Sequence, residues 1–128
     1  MQFNIGIIGC GLIGSKRFRN IGKLGNIIAV SDKNINNAKS LVLSKKIDIY
    51  KNWKDLLKIK TIDSVIIATY HDQLSAILIH SLKNNKNVLV EKAISIMNSR
   101  KITSLCINNK NKTIGIIHIH HLLEVNTK

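Results

Sequence analysis

Short apolar runs alternate with amphipathic stretches along nearly the whole chain. The runs are rich in Ile and Val, and they predict strands over residues 3–8, 27–31, 48–50, 63–69, 87–90 and 113–119. The continuous run Asp63-Ser64-Val65-Ile66-Ile67-Ala68-Thr69 is typical of a parallel strand that is buried on both faces. The alternation predicts an α/β fold: a doubly wound parallel sheet of about six strands in a single domain, with the strand order 3-2-1-4-5-6.

The segments between these runs carry apolar residues at helical spacing. They predict helices over residues 34–45, 53–58 and 72–85, and Asp32 or Asn34 is a suitable cap for the first of them. A further helix is predicted after Ser95, with Ile102, Leu105 and Cys106 on its inner face. Each helix would cover one face of the sheet.

The first strand runs directly into a Gly-x-Gly-x-x-Gly turn. The turn consists of Gly9, Cys10, Gly11, Leu12, Ile13 and Gly14. In such a turn the first glycine permits the sharp bend, the second leaves room for a diphosphate, and the third lets the helix pack close to the strand. The helix that starts there directs free N–H groups and its positive dipole end at the phosphates. The turn therefore predicts a dinucleotide site, although ordinary turn glycines also occur at this spacing.

Asp32 ends the second strand, eighteen residues after Gly14. An acidic residue at about this distance binds the hydroxyls of the adenosine ribose, and its charge opposes a 2′-phosphate, which favours NAD over NADP. The neighbouring Lys33 could instead receive that phosphate, so both cofactors stay open. Asp32 can also cap the next helix, and the two roles are compatible.

Composition narrows the choice of partners and location. The chain has 128 residues, a net charge of +13 and no proline. Its lysines are scattered, with almost no interleaved aromatic residues, so we expect no nucleic-acid partner. No apolar run approaches the ~18 residues of a membrane span and no secretory signal precedes the first strand, so we expect no membrane partner and a cytoplasmic location.

Metal and disulfide sites are not expected. Cys10 and Cys106 are too few and too differently placed for a disulfide framework or a zinc site. His118 and His120 share a strand face, but no third ligand accompanies them.

Taken together, these motifs resemble the Gfo/Idh/MocA family of NAD(P)-dependent oxidoreductases. The resemblance rests on the glycine turn, on the strand end at Asp32, on Tyr50 with the helix that begins at Trp53, and on the two later strands. The later strands are Val65-Ile66-Ile67-Ala68-Thr69 and Asn87-Val88-Leu89-Val90 followed by Glu91-Lys92. The Glu-Lys pair is the most specific of these marks.

The resemblance implies a Rossmann domain over residues 1–120, followed by a short tail over 121–128. It implies hydride transfer to or from a sugar, cyclitol or similar polyhydroxy substrate, with Lys92 as a catalytic acid or base near the nicotinamide. It adds Ala68, Thr69 and Glu91 to the residues expected to bind the cofactor. The family's substrate domain would have to come from a partner chain.

Among the departures from the family pattern, two concern prolines. Ala93 and Tyr70 stand where the family has prolines, which frees the backbone beside the expected site. Two interpretations therefore stay open. The chain is either the cofactor-binding part of an oxidoreductase, or a noncatalytic nucleotide-binding module or truncated remnant of such an enzyme.

Overall fold

The computed structural model describes residues 3–21, 25–43, 46–90, 104–109 and 112–118. The chain divides into two compact units, Met1–Leu89 and Val90–Lys128. The predicted boundary between residues 120 and 121 lies outside the described residues and stays a prediction. Within the described ranges, no helix has the length and apolar character needed to cross a membrane.

A five-stranded sheet forms the centre of the fold. Its strands are β1 (Phe3–Ile8), β2 (Gly25–Ser31), β3 (Asp48–Tyr50), β4 (Ser64–Ile67) and β5 (Asn87–Val90), in the order β3-β2-β1-β4-β5. β1 pairs in parallel with both β2 and β4, and β2 pairs in parallel with β3. The connecting helices are α1 (Leu12–Asn20), α2 (Ile35–Leu41), α3 (Trp53–Leu57) and α4 (His71–Lys83). The predicted α/β class and parallel sheet are confirmed.

Helices cover both faces of this sheet. On one face, Ile5 and Ile7 of β1 belong to a buried cluster that includes Phe18 of α1 and Ala38 of α2. On the opposite face, Gly6 lies so close to Leu56 of α3 that a Cβ atom there would be 2.7 Å from Leu56 Cδ2. Because successive residues of a strand face opposite ways, this alternation places α1 and α2 on one side and α3 on the other.

The three helices predicted between residues 34 and 85 are present, and α2 differs most from its predicted bounds. Asn34 is its N-cap, and the Asn34 side chain accepts a hydrogen bond from the Asn36 N–H. The predicted inner residues Leu56, Leu57, Ile77 and Leu78 are buried. Helix α2 ends at Leu41, four residues before its predicted end.

After residue 95, the predicted helix and the predicted place of the last strand in the parallel sheet are wrong, whereas the strand itself is present over the described residues 113–118. Leu105 and Cys106 lie in a strand, β6 (Ser104–Asn109), and not in a helix. The predicted sixth parallel strand is β7 (Lys112–His118), which pairs antiparallel with β6 in a separate two-stranded sheet. Only two residues separate the paired Asn109 and Lys112, so this pairing closes a very short loop at little entropic cost. Ser95, Ile102, Ile119 and His120 lie outside the described residues.

A buried lysine, Lys86, lies at the edge of the sheet where the strands begin, and it leads to a first testable prediction. Its side chain is only 7% exposed, and its Nζ donates to the carbonyls of Ile59 at 2.7 Å and Ile62 at 2.8 Å. Lys86→Met leaves both carbonyls without this donor, so we expect it to lower the free energy of unfolding by about 1–3 kcal/mol. Urea unfolding at neutral pH measures this loss, and Lys83→Met, at an exposed site on the same edge, is the matched control.

The difference in stability between the wild type and Lys86→Met should also depend on pH, and the direction of this dependence can be predicted. Burial lowers the pKa of Lys86 below its ordinary value of 10.5, against the opposing attraction of Asp63. At pH values between the lowered pKa of the folded protein and 10.5, Lys86 is protonated more fully in the unfolded chain than in the folded protein. The contribution of Lys86 to stability therefore rises with pH in this range. The gap in stability between wild type and Lys86→Met should widen as pH rises through this window. A gap that narrows would contradict the burial of the ammonium group.

Candidate dinucleotide site

The glycine turn lies where the carboxyl ends of three neighbouring strands meet. The N–H of Gly9 donates to the Ser31 carbonyl at the end of β2, at 2.8 Å. The N–H of Ala68, just after β4, donates to the Ile8 carbonyl at the end of β1, also at 2.8 Å. The chain leaves β1 toward β2 on one side and returns to β4 on the other, so the turn marks the switch point of the sheet. Open α/β sheets bind their ligands at such points.

Internal packing explains two of the three glycines. Gly9 has φ +99, which side-chain-bearing residues rarely adopt, and a Cβ atom there would overlap the Ala68 carbonyl. A Cβ atom on Gly14 would overlap the Gly9 carbonyl, which lies directly beneath the first turn of α1. Both residues must therefore be glycine for helix and strand to pack this closely.

Gly11 is different because nothing in the described chain fills the space beside it. A Cβ atom on Gly11 would meet no atom within 4 Å, and the backbone has φ −75 and ψ −156, which alanine also adopts. Protein packing therefore gives no reason for a glycine at this position. A ligand that approaches the backbone closely would give one.

The amino end of α1 offers donors to that ligand. Gly11 is the N-cap and supplies no side-chain hydrogen bond, and no acidic residue stands in the first turn. The first N–H groups of a helix have no partner within the helix, and they carry its positive dipole end. Leu12 and Ile13 are exposed, so this end of the helix is open to solvent.

Asp32 joins the glycine turn to the start of α2. One carboxylate oxygen accepts the Cys10 N–H and the other accepts the Asn34 N–H, each at 2.8 Å. A carboxylate has about four acceptor positions, so about two remain for ribose hydroxyls. Asp32 therefore fixes the turn and still has capacity for a ligand, while its neighbour Lys33 is exposed.

The Cys10 side chain lies beneath the turn as a protonated thiol. It is buried, and its Sγ donates to the Ser31 carbonyl at 3.5 Å. Burial, reinforced by the negative charge of Asp32, raises the pKa of Cys10 to about 12, although the hydrogen bond to Ser31 acts in the opposite direction. The thiol therefore stays protonated at neutral pH and is not a nucleophile.

The segment after β4 forms the other wall of the site. The backbone carbonyl of Ala68 lies against Gly9 of the glycine turn. The Thr69 hydroxyl is buried and has no hydrogen-bond partner among the described residues. A buried hydroxyl without a partner is costly, and a polar ligand group at this wall would remove that cost.

The observed residues fit a dinucleotide. They provide room for a diphosphate at Gly11, free donors at α1 and a ribose acceptor at Asp32. Two of the predicted residues, Glu91 and Lys92, lie outside the described part of the chain, and their roles stay predictions. No group of three potential metal ligands occurs within the described parts of the chain.

Sequence reasoning missed two partners within the site. The Ser31 carbonyl accepts from both Gly9 and Cys10, and the Asn34 N–H holds one oxygen of Asp32. Backbone carbonyls carry no sequence signal, so Ser31 could not have been identified. The spacing of Asp32 and Asn34 does carry one, because an Asp side chain often accepts the N–H two residues later.

Known proteins match this chain along most of its length. Residues 3–118 match the family described as "Oxidoreductase family, NAD-binding Rossmann fold". An inositol 2-dehydrogenase from Serratia proteamaculans is 31% identical over 101 residues, which cover 75% of this chain and 30% of the relative. The chain therefore spans about a third of the length of the curated relatives that it matches.

Solved structures share the fold. Myo-inositol dehydrogenase from Lactobacillus casei, in complex with NAD(H) and myo-inositol, superposes with a TM-score of 0.67 at 21% identity, covering 70% of this chain and 28% of that one. A variant of KijD10, a 3-ketoreductase from Actinomadura kijaniata in complex with NADP, gives 0.62 at 16% identity, covering 80% and 36%. The family match, which extends over the glycine turn, Asp32 and β4, shows that this chain belongs to the Gfo/Idh/MocA oxidoreductases and contains their NAD-binding Rossmann domain.

Proposed function

We propose that this chain is the coenzyme-binding part of a dehydrogenase that transfers hydride between a nicotinamide coenzyme and a cyclitol, sugar or similar polyhydroxy compound. The observation that carries the proposal is the open space at Gly11, next to the uncapped amino end of α1. The substrate class is supported by the Serratia relative, which is named an inositol 2-dehydrogenase. A cytoplasmic location stays a prediction from the sequence.

Each side chain or backbone group has a defined task in this proposal. The first N–H groups of α1 hold the diphosphate, and Asp32 accepts hydrogen bonds from the adenosine ribose. The bound nicotinamide supplies the hydride chemistry. Lys92, which follows β5, holds or releases the proton of the substrate hydroxyl, and Glu91 orients it. These last two roles rest on the resemblance of the Glu-Lys pair to the family motif.

NAD is the proposed coenzyme. The Asp32 carboxylate would stand close to the 2′-phosphate of NADP, and two like charges at short range repel each other. The exposed Lys33 is the nearest residue in sequence that could offset this repulsion. Because Lys33 is exposed, water and salt weaken its influence more than that of the half-buried Asp32.

Calorimetric titration with NAD⁺ and NADP⁺ tests the proposal. We expect saturable binding of NAD⁺, at least about tenfold tighter than that of NADP⁺, which corresponds to about 1.4 kcal/mol. Equal affinities would overturn the preference for NAD and leave coenzyme binding intact. Failure of both coenzymes to bind at millimolar concentration would overturn the proposal itself.

A second assay addresses catalysis. We propose that a partner chain supplies the substrate-side groups, so the assay uses this chain together with any partner chain that purifies with it. Formation of NADH from NAD⁺ and myo-inositol, followed by absorbance, supports a working dehydrogenase. Coenzyme binding without NADH formation from any polyol supplied would instead favour a noncatalytic nucleotide-binding module.

A further inference from the structure

Large apolar side chains are exposed around the dinucleotide site. Five such residues are exposed in the described part of the chain, and three of them stand at this edge of the sheet: Leu12 at 85%, Ile13 at 44% and Tyr70 at 89%. Exposed apolar groups that gather beside a site often contact a ligand. Tyr70 is the largest of the three.

Tyr70 stands within reach of the glycine turn. It follows Thr69 directly, and the N atom of Thr69 is 3.1 Å from the position of a Cβ atom on Gly9. The first turn of α1 approaches the same wall, because a Cβ atom on Gly14 would lie 3.7 Å from the Ala68 Cβ. Tyr70 and the donors of α1 therefore flank one opening.

The fold itself has no evident use for this aromatic ring. Tyr70 is the N-cap of α4 but makes no capping hydrogen bond through its side chain, and it contributes almost nothing to the core. Serine, threonine, asparagine or aspartate would stabilise the helix better at this position.

The topology indicates which half of a dinucleotide Tyr70 would meet. Asp32 lies at the end of β2, on one side of the glycine turn, and receives the adenosine ribose in the proposed function. A diphosphate at Gly11 directs the other half of the molecule away from β2, toward β4. β4 is the neighbour of β1 on that side, at a strand spacing of about 4.8 Å, and Tyr70 follows β4 in the chain.

We propose that Tyr70 packs its ring against the nicotinamide ring of the bound dinucleotide and so increases the affinity for NAD⁺. This inference rests on the proposed function, because it takes the coenzyme site as given. The oxidised nicotinamide ring is cationic, and the face of a tyrosine ring attracts cations. Stacking of an aromatic side chain on a base contributes about 1–3 kcal/mol, as measured by alanine substitution.

The test compares NAD⁺ with ADP-ribose, which lacks the nicotinamide ring. We expect Tyr70→Ala to weaken NAD⁺ binding roughly 5-fold to 150-fold, the factor that corresponds to this stacking range. ADP-ribose affinity should change less than about twofold, and Tyr70→Phe should bind both ligands like the wild type. The control is Leu43→Ala, which removes a side chain that is 86% exposed but follows the C-terminal end of α2, away from the turn.

Three results would overturn the inference. Unchanged NAD⁺ affinity in Tyr70→Ala would show that the ring makes no contact. Equal losses for NAD⁺ and ADP-ribose would show that Tyr70 acts on the part of the molecule that both ligands share, or on the shape of the loop. Loss of NAD⁺ affinity in Tyr70→Phe equal to that in Tyr70→Ala would assign the effect to the hydroxyl. In each of these cases the wild type still binds NAD⁺. If the proposed function itself is wrong, the wild type does not bind NAD⁺.

Discussion

Gly14→Ala is expected to destabilise the fold severely, whereas Gly11→Ala is expected to leave the fold intact and weaken coenzyme binding. The new Cβ at residue 14 would overlap the Gly9 carbonyl, and backbone cannot move aside as a flexible side chain can. Overpacking of this kind costs up to about 3 kcal/mol. Each kcal/mol lowers the Tm of a unit the size of Met1–Leu89 by roughly 4–8 °C, so a fall of up to roughly 12–24 °C is expected in thermal unfolding.

The Gly11→Ala variant is the matched counterpart, since it adds the same methyl group three residues earlier. The added carbon meets no atom within 4 Å, so we expect the Tm to stay within about 2 °C of the wild type. It would, however, occupy the space assigned to the diphosphate, and NAD⁺ affinity should fall at least about tenfold, or about 1.4 kcal/mol. Wild-type affinity in Gly11→Ala would mean that the ligand lies elsewhere, and a large fall in its Tm would mean that the space is not open.

Asp32→Ala is expected to change both stability and coenzyme choice. Loss of the carboxylate leaves the N–H groups of Cys10 and Asn34 without their acceptor, which costs about 1–3 kcal/mol of stability. The ribose hydroxyls lose the same acceptor, so NAD⁺ should bind roughly 10-fold to 100-fold more weakly. NADP⁺ should lose less, because removal of the negative charge also removes its repulsion of the 2′-phosphate.

The ratio of the two affinities is the decisive readout for Asp32, since a general loss of folded protein would weaken both coenzymes equally. Asp48→Ala is the control. It removes a carboxylate from an exposed position at the start of β3, at the opposite edge of the sheet from the turn. An unchanged ratio of NAD⁺ to NADP⁺ affinity in Asp32→Ala would exclude contact between Asp32 and the adenosine ribose.

The sequence was most informative where a single residue type is required by local geometry. Gly9 and Gly14 have no substitute at their positions, and buried parallel strands leave apolar runs that are easily seen. The turn, the order of the first five strands and the place of Asp32 were therefore predictable. The motif also predicted close packing at Gly14 and room for a diphosphate at Gly11. That Gly9 and Gly14 face backbone carbonyls while the space beside Gly11 is empty could not be predicted, because it depends on which atoms lie nearby in space.

The segment from Ser104 to His118 shows the opposite case. Leu105 and Cys106 fit a helical pattern when only the preceding residues are considered, and short apolar runs do not distinguish helix from strand. The strand state depends on the partner β7, whose pairing brings Leu105 opposite Ile117 and Cys106 opposite Ile116. Pairing between two segments cannot be predicted when each segment is considered separately.

The most direct test of the central claim is the amide ¹H–¹⁵N spectrum of the wild-type protein during titration with NAD⁺. If the turn receives the diphosphate, the N–H signals of Gly11, Leu12 and Ile13 should show the largest shifts and should saturate together. Lys58 and Asn85, at the opposite edge of the sheet, should stay unchanged. Saturable shifts that leave the glycine turn unaffected, or no shifts at millimolar NAD⁺, would contradict the claim.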